Sequence, residues 1–173
     1  MIPPTRKGRN GSVATDDNKL ITIELSEQAA TENLARHLAG LARSGDIFAL
    51  KGDLGAGKTV FARAFIRSLA GDDTEVPSPT FTLVQVYESN IAPLYHFDLY
   101  RLKHAEEAFE LGLDEAFAGG ICLIEWPERL DSLLPPDCLT LTITYGEGEH
   151  RRSVEIAAPE TWLERLREAD IGT

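Results

Sequence analysis

The sequence has few cysteines and no long apolar run. Its two cysteines, Cys122 and Cys138, lie inside apolar segments rather than at the spacing of metal ligands or redox pairs, which predicts buried, reduced thiols. No segment approaches the roughly 18 apolar residues of a membrane span, and the N-terminus lacks the apolar core of a secretory signal. We therefore expect a cytoplasmic protein that does not contact a membrane.

Positive charge is also scarce. The 17 Lys and Arg residues are outnumbered by 28 Asp and Glu residues, which gives a formal net charge of −11. A protein that binds nucleic acid on its own replaces phosphate counterions with Lys and Arg, so this balance disfavours autonomous binding to RNA. We expect any contact with RNA to require a partner protein.

The 173 residues are enough for one domain with a substantial core. Residues 1–19 are polar, contain Pro and Gly and show no periodicity, which predicts a disordered tail followed by a single domain over residues 20–173. In that domain, alternating or continuous apolar segments predict strands, and apolar residues three or four apart predict helices. The predicted strands are LITIEL, DIFALKG, TLVQVY, APLYHFDLY and ICLIEW, followed by the pair CLTLTITYG and RRSVEIAA.

The predicted helices have recognisable ends. Ser26 is a candidate N-cap for the first helix, residues 58–70 form the second with Gly71 as its stop, and residues 106–111 form a short third. Pro159 can open a last helix. Strands alternating with helices predict a three-layer α/β sandwich with a mainly parallel sheet, and the last two strands predict a C-terminal antiparallel hairpin at an edge of the sheet.

The segment GDLGAGKT, residues 52–59, matches the phosphate-loop pattern G-x-x-x-x-G-K-[ST] in full. A predicted strand precedes it and a predicted helix follows it. Glycines let backbone N–H groups turn toward phosphates, and the helix N-terminus adds a positive field. Lys58 is expected to reach the β- and γ-phosphates, and Thr59 to place its hydroxyl on Mg²⁺. The other predicted nucleotide contacts are Asp53, Leu54, Gly55, Ala56 and Gly57 in this segment and Val60 directly after it.

A bound Mg²⁺ also needs a carboxylate, and two apolar segments end in one. Asp98 closes LYHFD and Glu125 closes ICLIE, and spacing alone does not rank them. His96 lies two residues before Asp98, so it shares a face of the strand with it; it either orients that carboxylate or is a core histidine.

The segment SPTFT, residues 78–82, is either an ordinary turn or a switch that senses the γ-phosphate. The motifs N-K-x-D and D-x-x-G, by which GTPases are recognised, are absent from the sequence, which favours ATP over GTP. A small-molecule kinase is a further alternative, although Arg129 is the one arginine between Trp126 and Pro136 that an Arg-bearing lid could use.

Taken together, GDLGAGKT, SPTFTLV, HFDLYRL, ELGLDE and LIEWPE resemble, in this order, the TsaE family, also called YjeE. Its members are the ATPase subunit of the bacterial machinery that makes N6-threonylcarbamoyladenosine on tRNA. The resemblance covers roughly residues 20–145. It implies an α/β phosphate-loop ATPase that binds ATP and Mg²⁺ and does not itself modify the tRNA.

The resemblance also implies partners. In the family, TsaD performs the carbamoyl transfer together with TsaB, and ATP hydrolysis by the third subunit resets that complex between turnovers. We therefore expect homologues of TsaD and TsaB as partners, tRNA contact only through the complex, and weak turnover without it. The modified tRNAs are those that read ANN codons. Weak self-association is compatible with the sequence.

The resemblance implies roles for individual residues of this sequence. Lys58 and Thr59 match the family's phosphate and Mg²⁺ contacts, and Glu125 matches its carboxylate ligand to Mg²⁺. Asp98 matches a second acidic position, assigned to water activation or to support of the metal ligands, so Lys58, Asp98 and Glu125 are the predicted catalytic residues. Thr80 matches the switch-like segment.

Two further positions follow from the resemblance. Thr31 lies in the segment at the start of the first helix where the family contacts adenine, and Trp126 directly follows Glu125 and should lie near the site. Two readings compete with the modification ATPase: a phosphotransferase that acts on a free small molecule, and a protein that uses ATP only as a conformational ligand.

Overall fold

The structure is a computed structural model that describes residues 19–171. Its strands and α-helices, in chain order, are β1 (Lys19–Leu25), α1 (Gln28–Leu41), β2 (Ile47–Lys51), α2 (Lys58–Ala70), β3 (Val84–Tyr87), β4 (Leu94–Asp98), α3 (Leu113–Gly119), β5 (Ile121–Glu125), β6 (Leu139–Tyr145), β7 (Arg152–Ala158) and α4 (Glu160–Glu168). Two 3₁₀ helices, Ala105–Leu111 and Pro127–Leu133, precede α3 and follow β5.

All seven strands belong to one sheet with the order β1-β7-β6-β2-β5-β4-β3. The four central strands β6, β2, β5 and β4 run parallel, while β3 and the β7–β1 pair are antiparallel to their neighbours. β2, β4 and β5 are almost entirely buried, as continuous apolar strands in the middle of a covered sheet should be. The predicted α/β fold with a sheet that is parallel in its core is confirmed.

Helices cover both faces of the sheet and make two separate apolar cores. On one face, α1, α2 and α4 pack on the strands, and the ring of Phe48 lies 4.7 Å from that of Phe65 and 5.2 Å from that of Trp162. On the other face, α3 and the two 3₁₀ helices cover residues such as Ala49 and Phe97. This three-layer arrangement holds the carboxyl ends of the parallel strands in fixed positions.

The hairpin of β6 and β7 corrects one prediction. Its strands are antiparallel as predicted, but they do not lie at an edge, because β1 pairs with β7 on the outside and β6 pairs with β2 on the inside. The hairpin therefore stands directly beside the strand that leads into the phosphate loop.

Smaller corrections concern element ends. Glu27 rather than Ser26 occupies the N-cap of α1, and it makes no side-chain cap hydrogen bond. The segment around Glu106 is a 3₁₀ helix instead of an α-helix. Lys19, assigned to the tail by its polarity, is the first residue of β1, and residues 1–18 of the predicted tail lie outside the described residues.

Within residues 19–171, no helix is both long enough and apolar enough to cross a membrane.

Both cysteines are buried and free, as their apolar surroundings predict. Burial raises the pKa of the Cys122 thiol to about 12, and its S–H group donates to the carbonyl oxygen of Ala116. The thiolate is the reactive form of cysteine, so we expect a thiol reagent at pH 8 to leave both residues unmodified in the folded protein and to modify both in denaturant. Rapid reaction of the folded Cys138→Ser variant would show that Cys122 is accessible.

Candidate functional site

The carboxyl ends of three neighbouring parallel strands meet at one edge of the sheet. The phosphate loop, residues 52–59, leaves the end of β2 and runs into α2, which begins at Lys58. Asp98 is the last residue of β4, Glu125 is the last residue of β5, and the two lie opposite each other in the pairing of these strands. The parallel register thus brings both acidic residues to the loop, in agreement with the rule that ligands bind at the carboxyl ends of such strands.

The loop needs glycine at its first position. Gly52 has a φ of +142°, and a Cβ atom there would meet the main-chain oxygen of Ile143 in β6. Gly57, at the N-cap of α2, has a φ of +115°. Since side chains disfavour both conformations, only glycine lets the chain turn tightly between β2 and α2 at these points.

Lys58 is folded back onto the loop from which it projects. Its Nζ donates hydrogen bonds to the carbonyl oxygens of Gly52, at 2.6 Å, and of Asp53, at 2.8 Å, and it lies 4.2 Å from the centre of the Trp126 ring. Burial lowers the pKa of the Lys58 ammonium, and the nearby charges of Glu125 and Asp98 oppose that shift. The loop carbonyls and the ring therefore hold this cation beside the site.

Glu125 is the carboxylate that contacts the loop. Both of its oxygens lie 3.0 Å from the hydroxyl of Thr59, and the Nε2 of His96 lies 2.8 Å from its Oε1. His96 thus bonds to Glu125 and not to Asp98, so the suggested role of orienting Asp98 is wrong.

The Thr59 hydroxyl and the Glu125 carboxylate suit Mg²⁺, a hard cation that proteins bind through one or two carboxylates together with the phosphates of its nucleotide. Within residues 19–171, no three His, Cys, Asp or Glu side chains are grouped so that they could hold a metal ion by themselves. A cation at this place would therefore depend on a bound nucleotide for its remaining ligands.

Asp98 contacts the segment SPTFT instead. Its Oδ2 accepts a hydrogen bond from the hydroxyl of Thr80 at 3.1 Å, and its Oδ1 accepts one from the backbone N–H of Tyr100 at 3.1 Å. The hydroxyls of Thr80 and Ser78 lie 2.7 Å apart. Asp98 is buried, so its carboxylate is held in place by these contacts.

Two adjoining cavities flank the loop. The first, of about 270 Å³, contains Lys58, Thr59, Thr80, Asp98 and Glu125 in its wall. The second, of about 590 Å³, is lined by the start of α1 and by the β6–β7 hairpin. Both cavities share Gly55, Gly57 and Val60, so a ligand at the loop can extend from one into the other.

Most of the predicted site residues come together around these cavities. Leu54 also lines the first cavity, whereas Thr31 and Ala56 line the second. Asp53 lines neither of the two; its side chain is exposed, and its main-chain oxygen accepts from Lys58.

The structure adds residues that the sequence does not single out. Tyr100 lines the first cavity, and its ring lies 4.9 Å from that of Trp126. Arg152 and His150 line the second cavity, and Tyr145 bonds to the loop from outside. His150 is exposed and borders the cavity. Tyr100 lies inside the segment HFDLYRL, part of the family resemblance, which implies no role for this residue, whereas Tyr145, His150 and Arg152 belong to no local motif that could have identified them.

Comparisons with known proteins identify the family. Residues 25–154 match the family model described as threonylcarbamoyl adenosine biosynthesis protein TsaE. The chain is 40% identical over 139 residues to the tRNA threonylcarbamoyladenosine biosynthesis protein TsaE of Bacillus subtilis, an alignment that covers 80% of this chain and 85% of the relative. It is 44% identical over 119 residues to the protein of the same name from Rickettsia felis, covering 69% and 70% of the two chains.

A solved structure is similar over most of its length. The crystal structure of YdiB from Bacillus subtilis superimposes with a TM-score of 0.71 at 34% identity, covering 87% of this chain and 93% of that one. The family match spans far more than the phosphate loop, and it includes both strands that end in the acidic residues. The chain belongs to the TsaE family.

Proposed function

We propose that this chain is a Mg²⁺-dependent ATPase that serves the biosynthesis of threonylcarbamoyladenosine on tRNA. The observation that carries the proposal is the contact of Glu125 with Thr59 beside Lys58, because a carboxylate and a hydroxyl next to a phosphate loop form the cation site that nucleotide hydrolysis requires. The names of the TsaE relatives supply the pathway.

In this proposal, the two cavities bind different parts of the nucleotide. Its phosphates lie in the first cavity, where the amides of the loop and the N-terminus of α2 favour negative charge. Its adenosine lies in the second, which offers Thr31 and Val60 together with polar groups at the start of α1. On this assignment, Lys58 exchanges its bonds to the loop carbonyls for the β- and γ-phosphates.

Thr59 and Glu125 hold Mg²⁺ in this proposal, and the ion neutralises charge on the phosphate oxygens when it is bound. Asp98 accepts hydrogen bonds from Thr80 and from the backbone of Tyr100 and lies across the strand pair from Glu125, so it can accept a further one from a water molecule facing the γ-phosphate. Thr80 then ties the segment SPTFT to the state of the nucleotide.

We further propose that hydrolysis acts on partner proteins in the cytoplasm. The net charge of −11 disfavours independent tRNA binding, so the tRNA is reached through homologues of TsaD and TsaB. ATP hydrolysis then resets that complex between turnovers on tRNAs that read ANN codons, and turnover without the partners is weak.

The test is Mg²⁺-dependent ATP turnover by the purified full chain, alone and with matching TsaD and TsaB. We expect the partners to stimulate turnover and Glu125→Ala to remove the stimulated activity, with Glu164→Ala as an exposed acidic control that lines neither cavity. Turnover unaffected by the partners, with ADP formed together with a phosphorylated metabolite, would instead identify a small-molecule kinase. ATP binding without turnover in any mixture would identify a purely conformational ligand.

A further inference from the structure

The β6–β7 hairpin holds the phosphate loop from the outside. Tyr145, the last residue of β6, donates its hydroxyl hydrogen to the carbonyl oxygen of Leu54 at 2.9 Å. Arg152, the first residue of β7, donates from Nε to the carbonyl oxygen of Ala56 at 3.0 Å. The hairpin thus donates hydrogen bonds to the carbonyl oxygens of two loop residues, Leu54 and Ala56, which lie more than 90 positions earlier in the chain.

The two side chains act together because of the strand register. Tyr145 and Arg152 lie opposite each other in the antiparallel pair, and the guanidinium carbon lies 4.5 Å from the centre of the tyrosine ring. Arg152 also donates from Nη1 to the carbonyl oxygens of Glu149, at 3.3 Å, and of Arg151, at 2.8 Å. The guanidinium is therefore fixed by its own hairpin while its Nε is directed at the loop.

A planar trans peptide group points its C=O and its N–H in opposite directions, and every peptide bond described in this chain is trans. Holding the carbonyl of Leu54 toward Tyr145 turns the N–H of Gly55 away from Tyr145, and holding the carbonyl of Ala56 toward Arg152 does the same for the N–H of Gly57. Both glycines line the first cavity, which neither Tyr145 nor Arg152 lines, and both also border the second cavity, which Arg152 lines. Within residues 19–171, the main-chain hydrogen bonds of turns, loops and caps include none that the amide of Gly55 or Gly57 donates.

We propose that Tyr145 and Arg152 are positioning residues for phosphate binding, because they set the two peptide planes that direct the amides of Gly55 and Gly57 at the ligand. The inference rests on the proposed function, since it concerns the same nucleotide. It assigns to the C-terminal hairpin a part in a site whose motif lies entirely in residues 52–59.

The test measures the affinity for phosphate groups separately from that for the nucleoside. Inorganic triphosphate and ATP each displace a fluorescent ADP analogue from the full chain, from Tyr145→Phe, from Arg152→Met and from the double variant. Tyr145→Phe keeps the ring, and Arg152→Met keeps most of the aliphatic stem. Because each single variant removes one hydrogen bond to the loop, we expect about threefold weaker binding of both ligands in each of them. Since the two side chains contact each other, the loss in the double variant should lie between about threefold and about tenfold.

Thr144→Val is the matched control, because its hydroxyl bonds to the carbonyl of Ser153 inside the same hairpin and does not reach the loop. It should bind both ligands as the unmodified chain does. The melting temperature should change little in all variants, since Tyr145 is 54% exposed and Arg152 is half-buried.

Three outcomes overturn the inference. Unchanged affinities for both ligands would show that the two bonds do not position the loop. Weaker binding of ATP with unchanged binding of triphosphate would make the residues nucleoside contacts. Weaker binding that appears only with a large loss of melting temperature would make them purely structural. If the unmodified chain failed to bind ATP or the ADP analogue, the proposed function itself would fall.

Discussion

Lys58→Ala is expected to abolish threonylcarbamoylation of tRNA in a strain that carries only this variant, while the protein remains folded. The ammonium of Lys58 is held by the loop at the first cavity, through two carbonyl contacts of 2.6 and 2.8 Å. Removing a positioned charge from a site where phosphoryl charge develops typically costs a factor of about 100 or more in rate. We therefore expect at least this loss in stimulated ATP turnover.

The fold should survive because burial disfavours the charged form of Lys58 in the absence of nucleotide. Burial lowers the pKa of its ammonium below 10.5, so at pH values between the folded-state pKa and 10.5 the unfolded chain binds more protons than the folded one. The free energy of unfolding then rises with pH across this interval. Lys58→Ala should remove that rise and should not lower the stability at neutral pH.

Lys103→Ala is the matched control for this experiment, since Lys103 is exposed and lines neither cavity. The modification is measured in total tRNA, and stability is measured by thermal unfolding at several pH values. Normal modification with Lys58→Ala as the only copy would refute the ATPase role. Loss of modification together with unfolding would leave folding as the sole explanation.

The central part of the fold could be predicted from the sequence because its determinants are local. The glycines and the Lys-Thr pair of residues 52–59 require a strand before and a helix after, and α2 has the predicted bounds Lys58–Ala70. The apolar segments of β4 and β5 likewise predict that Asp98 and Glu125 end buried strands. Parallel strands carry both acids to the same edge, so their arrival at the loop follows from the predicted fold class.

The features that could not be predicted from the sequence depend on strand register and on contacts between residues that lie far apart in the chain. The alternation in β6 and β7 predicts that they pair, but it contains nothing to show that β1 adds outside β7. Nor does it show that β6 pairs with β2, the contact that puts Tyr145 and Arg152 against a loop 91 and 96 residues away. The choice between Asp98 and Glu125 depends on which side chain faces α2, because Thr59 lies at the start of that helix.

Glu125→Gln and Asp98→Asn are expected to fail in different ways, because the two carboxylates contact different parts of the site. Glu125 bonds to Thr59, so Glu125→Gln should remove the Mg²⁺ dependence of ATP binding and lower turnover by a factor of about 100 or more. Asp98 bonds to Thr80 and the backbone of Tyr100, so Asp98→Asn should retain Mg²⁺-dependent ATP binding and lose turnover. The measurements are ATP affinity with and without Mg²⁺, and single-turnover rates.

Thr59→Val tests the cation site separately from the rest of the loop, and it should have the same effect as Glu125→Gln. The hydroxyl of Ser78 contacts that of Thr80, so Ser78→Ala should preserve Mg²⁺-dependent ATP binding. If Asp98→Asn abolished the effect of Mg²⁺ on ATP binding while Glu125→Gln kept it, the two roles would be exchanged. Equal loss of Mg²⁺ dependence in both variants would mean that the two carboxylates share the cation.

The severity expected for Glu125→Gln, despite its nearly unchanged shape, follows from His96. The imidazole is fully buried, its Nε2 faces the carboxylate at 2.8 Å, and its Nδ1 has no partner within the described part of the chain. An ionised carboxylate can only accept, so Nε2 donates, and where His96 keeps this tautomer an introduced amide turns its oxygen toward His96 to accept that bond. The NH₂ group of the amide then faces Thr59, where a bound cation needs lone pairs and not hydrogen-bond donors. The loss of the negative charge and the presence of these donors both weaken binding of the cation.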